Sequence, residues 1–284
     1  MNTIKITEIK TIQDALKVYS AFKKLDNTQK VLFDFSGARF IYSNYTALLG
    51  ALIESCESFE IAAPRKEKVK TVLSKNNFLP TFTESPKLND TSQSVIEYER
   101  FALYELEKQN IFFEKLLEDN ILKTKGLTNL SDKVLKNVSR NIIELFDNAR
   151  EHSKSVQGIH IAGQFFPQKH KFDFTIVDMG LGIVTNVNSF LDEKLQAGEA
   201  INWAMTKQNS TRVGEPGGLG LALLKELIMK SNGTMEIISN SGYYFIKNQK
   251  ESYKTLDVEF EGTIINIEFN IDEKKYFFKE ELEK

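Results

Sequence analysis

The sequence predicts a mixed α/β protein built as two units, and three observations predict it. The first eighty residues alternate short strand-like and helix-like patterns. A stretch at 80–93 (PTFTESPKLNDTSQ) is rich in prolines and small polar residues, as expected of a boundary. Beyond it, a strongly periodic helix, an alternating strand and a glycine-rich helix start follow one another between about 141 and 230. The expected division is 1–80 as a small α/β domain, 81–126 as linker and connecting helix, and 127–284 as a second domain. A chain of 284 residues fits two domains better than one.

In the first unit, residues 3–9 (TIKITEI) alternate in the strand manner and DALKVYSAF (14–22) has helical spacing. VLFDF (31–35) reads as a buried strand, YTALLGALI (45–53) as a helix, EIAA (60–63) as a strand and KVKTVLSKN (68–76) as a helix. Residues 94–122, rich in Glu, Lys, Leu and Phe and without Pro or Gly, read as one long helix. The tail 271–284 reads as a short amphipathic helix anchored by Tyr276, Phe277 and Phe278.

Composition narrows the function classes. The chain is 41% hydrophobic and 27% charged, as in globular proteins able to bury a core, and its formal charge is −2. Near-neutrality argues against strong electrostatic attachment to nucleic acid or an anionic membrane. No run approaches the ~18 apolar residues of a membrane span. The N-terminus lacks a signal-peptide pattern, and the single Cys56 forms no internal disulfide, so a cytoplasmic protein is expected.

NIIELFDNAREHS carries the first chemical signal. At 3.6 residues per turn, Ile142, Leu145, Phe146 and Ala149 fall within an arc of about 100°, and Glu144, Asn148 and Glu151 within about 60° on the opposite side. A carboxylate and a carboxamide one turn apart suit a general base towards water and an amide oxygen towards a hard cation such as Mg²⁺; a solvated face is the alternative. KFDFTIVDMGLGI alternates Phe172, Phe174 and Ile176 as a half-buried strand and ends in Asp178, with Gly180 and Gly182 beyond. An acidic group at a strand end beside glycines suits an exocyclic amine of a flat ligand, though an acidic turn has the same spelling. In GEPGGLGLALLKELIMK, Gly217, Gly218 and Gly220 open a helix, an arrangement that suits phosphate. Leu221 and Ala222 stand where a P-loop needs Lys-Ser/Thr. A dinucleotide fingerprint fails too, because Gly180 and Gly182 lack the third glycine and its helix.

The order Glu144–Asn148, Asp178-x-Gly-x-Gly, Gly-Gly-Leu-Gly-Leu and Gly262-Thr263 resembles the GHKL superfamily of ATPases (the gyrase, histidine kinase and MutL type) over residues 130–271. The resemblance implies an α+β two-layer sandwich of Bergerat type that binds ATP and Mg²⁺. It implies Glu144 as general base and Asn148 as Mg²⁺ ligand. Asp178, supported by Thr263, would accept from the adenine amine over a floor formed by Gly180 and Gly182. Gly218, Leu219 and Gly220 would lie against the phosphates. Residues 184–216 would form a lid, in which Lys207, Ser210, Thr211 and Arg212 offer γ-phosphate contacts. The only histidines, His152, His160 and His170, all lie within this unit, so none is placed as an upstream phospho-acceptor. EHS, STR and GGLGLALLKEL resemble the ATP domains of anti-sigma-factor serine kinases.

The N-terminal unit resembles STAS domains, the anti-sigma-antagonist fold. Asp34, Ser36, Gly37, Phe40, Ile41 and Ser43 match, whereas Tyr42, Asn44 and Tyr45 replace the family's Asp, phospho-acceptor Ser and Gly. Ser43 is left as a neighbouring hydroxyl or a helix N-cap. Three readings follow: an ATPase switch, a serine/threonine kinase acting on a STAS-like partner, and a nucleotide-binding module without turnover. A protein partner or homodimer is expected with any of them.

Overall fold

The computed structural model describes residues 2–117, 122, 127–206, 219–270, 274–278 and 281. The protein is a mixed α/β structure. At its N-terminal end β1 (Asn2–Lys5), β3 (Val31–Asp34) and β5 (Phe59–Ala62) form a parallel sheet in the order β1-β3-β5. The short β2 (Glu8–Ile9) and β4 (Phe40–Ile41) pair in parallel beside it. Helices α1 (Ile12–Phe22), α2 (Thr46–Glu54), α3 (Glu67–Lys75) and α4 (Phe78–Phe82) complete this part. Thr11 caps α1 by accepting from the Asp14 N–H at 3.2 Å, satisfying a donor that the first turn leaves free.

The second sheet is antiparallel, in the order β6-β7-β8-β10-β9. Its strands are β6 (Val95–Phe101), β7 (Ile159–Phe166), β8 (Lys171–Asp178), β9 (Thr234–Lys247) and β10 (Lys250–Asn270). The helices after β5's own are α5 (Leu106–Leu117), α6 (Asp132–His152), α7 (Ile183–Leu191), α8 (Ala197–Ala204) and α9 (Leu219–Lys230). Ser131 caps α6, and Asp132 in the first turn and Arg150 and His152 in the last complement its dipole. Among the described residues no helix is long and apolar enough to cross a membrane.

Strand alternation sorts the sheet into two buried faces. Phe172, Phe174 and Ile176 of β8, with Ile265, Ile267 and Phe269 of β10, join the core beneath α5, α6 and α9. Val177, Ile238 and Ile264 point the other way, into a core shared with α1, α2 and the parallel sheet. The half-buried strand expected at 171–178 is therefore buried on both faces: between the phenylalanines, Asp173 and Thr175 are at most 3% exposed. The polar residues that mimic a solvated face are covered by the N-terminal part of the chain.

Three further expectations are corrected. The long helix read over 94–122 is a strand and a helix, β6 and α5. Val95, Ile96, Tyr98 and Phe101 are the β-branched and aromatic residues a strand favours, and Glu105 turns the chain by accepting from the Ala102 N–H at 2.9 Å. The resemblance places Gly262-Thr263 before a last strand, whereas both residues lie inside the 21-residue β10, in which Gly262 (φ +109°) sits at a register shift. Residues 274–278 of the tail are extended rather than helical, and Glu281, whose N–H donates to Phe278 O at 2.9 Å, lies in a 3₁₀ turn. Tyr276 bridges to Leu130, donating its N–H to Asn129 O at 2.9 Å and accepting from the Ser131 N–H at 3.0 Å.

The N-terminal part and the antiparallel sheet meet closely at Gly50 of α2, where a Cβ would lie 2.3 Å from the Tyr98 ring of β6. Helix propensity alone favours alanine there by about 1 kcal/mol. Overpacking against a buried ring costs about 1–3 kcal/mol and is expected to win, so Gly50→Ala should lower the denaturant midpoint. A raised midpoint would show that Tyr98 moves aside freely.

Candidate functional site

One row of residues crosses three strands on the helix-covered face. Asp178 ends β8 in register with Thr263 of β10, and Thr263 is in register with Ser239 of β9. By strand parity Asp178 stands on the side of Phe174 and Ile176, and Thr263 on the side of Ile265. Asp178 is 4% exposed and Ser239 fully buried. Burial pushes the Asp178 carboxyl up to about 7; the Gly180 N–H, donating at 3.0 Å, and Thr263, through side chain and backbone N–H, hold it down against that.

Ser239 joins the pieces around this carboxylate. Its hydroxyl donates to Gly262 O at 2.8 Å, accepts from the Ile183 N–H at 2.6 Å and lies 3.0 Å from the Thr263 hydroxyl. Beside it Asn240 donates to Leu181 O at 3.1 Å. The sequence reading missed both residues, because nothing in the local sequence marks them. Ser239→Ala leaves the half-buried Ile183 N–H without its acceptor. A loss of about 1–3 kcal/mol in denaturant unfolding is expected, and an unchanged midpoint would contradict this role.

The loop after Asp178 is tied to the C-terminal end of α6. The Leu181 N–H donates to Ser153 O at 2.7 Å, Asn186 donates to His152 O at 3.1 Å, and the Met179 N–H donates to Ser155 Oγ at 3.3 Å. Asn148 stands about one turn and Glu144 about two turns before that tied end. Both are half-buried and lie off the apolar stripe of Ile142, Leu145 and Phe146.

The glycines have a reason that the sequence did not show. A Cβ on Gly180 would lie 2.0 Å from Ser153 O, one on Gly182 (φ +80°) 2.3 Å from Asn240 Oδ1, and one on Gly262 2.1 Å from Asp178 O. Protein atoms fill the space of each missing side chain, so these glycines let the loop and the β10 bulge close around Asp178.

Leu219 and Gly220 are the first described residues of α9. Lys207, Ser210, Thr211, Arg212 and Gly218 lie outside the described residues. Of the segment read as a lid, 184–206 forms α7 and α8 with their connections; Gln196 and Glu199 make a capping box at the start of α8. Among the described residues no three His, Cys, Asp or Glu side chains converge as a metal cage. The Asn148 amide, expected to offer its oxygen to a hard cation, is half-buried on α6.

His160 is fully buried in β7, and burial pushes it down to about 3, so it is neutral, with Nδ1 3.0 Å from the Tyr98 hydroxyl. Ser43 is also fully buried. Its hydroxyl donates to Gly163 O at 3.2 Å and its N–H to Gln164 Oε1 at 2.6 Å. It lies in a 3₁₀ turn, Ser43–Tyr45, capped by Tyr42 without a side-chain bond, so it is not the N-cap considered from sequence. No protein-family model matches the chain, and no curated protein matches it.

Proposed function

We propose that this chain is a Mg²⁺-dependent ATP-binding and hydrolysing protein of the GHKL type, with a Bergerat-type sandwich at 127–284 and a STAS-like N-terminal unit. In this reading it works as a nucleotide-controlled regulatory switch. The observation that carries the reading is the buried Asp178, held by Thr263 and the glycine loop at the end of β8. An ionised carboxylate in that position is an acceptor aimed at an amine, and a buried one discriminates strongly between a ligand that donates and one that does not.

The other residues take their roles around it. Asn148 supplies an oxygen to the cation that accompanies the phosphates. Glu144, two turns from the tied end of α6, accepts the proton of the water that attacks the γ-phosphorus as the bond to ADP breaks. When bound, Mg²⁺ neutralises charge on the phosphate oxygens. The start of α9 offers backbone N–H groups to the phosphates. Closure of the segment around 184–216 over the nucleotide would couple occupancy to docking of a partner.

The kinase reading remains the alternative, and the burial of Ser43 counts against the chain's own N-terminal unit as its acceptor. Following γ-labelled ATP with purified protein and Mg²⁺ separates the two. Label released as free phosphate supports the ATPase switch. An acid-stable phosphoester on the chain or on an added STAS-type protein replaces it with the kinase. No turnover of any kind removes the hydrolytic claim.

A further inference from the structure

Asn44 is fully buried where the N-terminal part of the chain meets the sheet, and its amide reaches between two strands. Its Nδ2 donates to Thr175 Oγ1 of β8 and to Asn266 Oδ1 of β10, each at 3.0 Å. Thr175 and Asn266 are register partners, and the Thr175 hydroxyl also donates to Asn266 Oδ1 at 2.8 Å. Three residues along β8 from Thr175 is Asp178; three residues back along β10 from Asn266 is Thr263.

The bonding pattern fixes which end of each amide faces which neighbour. Glu236 of β9 is an acceptor when ionised, and Asn266 Nδ2 lies 3.5 Å from its Oε2. Asn266 turns its Oδ1 towards Asn44 and Thr175, and Asn44 presents its NH₂ group, with its own Oδ1 buried and without a partner. The chain of bonds continues from Glu236 to the Tyr243 hydroxyl at 2.6 Å, which accepts from Gln13 of α1 at 3.2 Å. Polar contacts thus leave the N-terminal part at Asn44, cross β8, β10 and β9, and return to it at Gln13.

We infer that Asn44 is a positioning residue for the ligand site on the other face of the sheet. It pins β8 to β10 one short step from the Asp178–Thr263 pair, so the N-terminal unit sets the spacing of the two groups that read the ligand. The geometry stands by itself; the ligand readout rests on the ATP reading proposed above. Side-chain bonds in a buried network are worth more than water-exposed ones, because no solvent replaces them.

Four full-length variants test this. Asn44→Leu removes both donors at similar volume, and Thr175→Val removes one of their acceptors, together with the Thr175–Asn266 bond, with little change of shape. The double variant closes a cycle, and Gly50→Ala disturbs the same junction at Tyr98 without touching Asn44. Amide hydrogen exchange at Val177, Asp178, Thr263 and Ile264 should speed up in Asn44→Leu and Thr175→Val but not in Gly50→Ala. ATP affinity should fall about tenfold in Asn44→Leu, by less than the summed single effects in the double variant, and stay within twofold in Gly50→Ala. If Asn44→Leu does not fold, Thr175→Val alone decides. Unchanged exchange in a folded Asn44→Leu or Thr175→Val protein overturns the inference. An equal loss of affinity in Gly50→Ala also overturns it, by reducing the effect to a loosened junction. A wild-type chain that binds no ATP refutes the ATP reading, and the exchange measurement then judges Asn44 by itself.

Discussion

Asp178→Asn is expected to weaken ATP binding about 10- to 100-fold while making the ligand-free chain more stable at neutral pH, the two effects having one origin. Burial raises the Asp178 carboxyl to about 7 from the 3.8 of an unfolded chain. A carboxyl raised by folding contributes stability that is complete below about pH 4 and is lost as pH climbs through about 7. At pH 8 the folded chain therefore carries an ionised buried group at a cost of up to about 4 kcal/mol, which the uncharged asparagine avoids. Wild-type stability should fall between pH 4 and 7 relative to Asp178→Asn, read by denaturant melts across that range. Affinity should run the opposite way. A ligand amine needs the ionised acceptor, so wild-type ATP affinity should drop as pH falls below about 7, and the asparagine variant should lose that slope. Parallel stability profiles for the two proteins would show that the carboxylate is not strained in the free chain.

The second large effect falls on turnover. Glu144→Gln keeps the size and the half-buried setting of the side chain but removes its capacity to take a proton. Phosphate release should fall about 10²- to 10⁴-fold, the usual range for a lost general base. ATP binding should persist, because Glu144 is about two turns from the tied end of α6, away from the Asp178 row. Loss of binding and turnover together would move Glu144 from chemistry to ligand positioning. Unchanged turnover would assign proton removal to another group.

Much of this architecture was legible because its elements obey one simple periodicity. The stripe of Ile142, Leu145 and Phe146 identifies α6, and the Phe172–Phe174–Ile176 alternation identifies β8, since each buries apolar groups at the period its backbone imposes. The covering of the second face of the sheet was not legible. Asp173, Thr175 and Asn266 have the identities of a solvated face, and their burial is tolerable because Asn44 bonds to Thr175 and Asn266 while Lys171 pairs with Asp173. The strand β6 was hidden for a related reason: its charged residues blur the alternation and no turn residue separates it from α5. Glycines 180, 182 and 262 were visible, but their service to close packing against Ser153, Asn240 and the Asp178 carbonyl is a tertiary fact. Ser239 has no local signature, because its importance comes from three partners brought together by the loop, the bulge and the neighbouring strand.

The measurement that bears most directly on the central claim is calorimetric titration of the wild-type chain with Mg²⁺–ATP and Mg²⁺–GTP at pH 8, beside the Asp178→Asn variant. One site that binds ATP, discriminates against GTP and is weakened by the substitution is the expected result, since the carboxylate accepts from the amine of adenine and meets only a carbonyl oxygen in its place on guanine. No ATP binding by a folded wild-type chain, or ATP binding that the asparagine leaves untouched, would contradict the assignment of Asp178 and with it the ATP site.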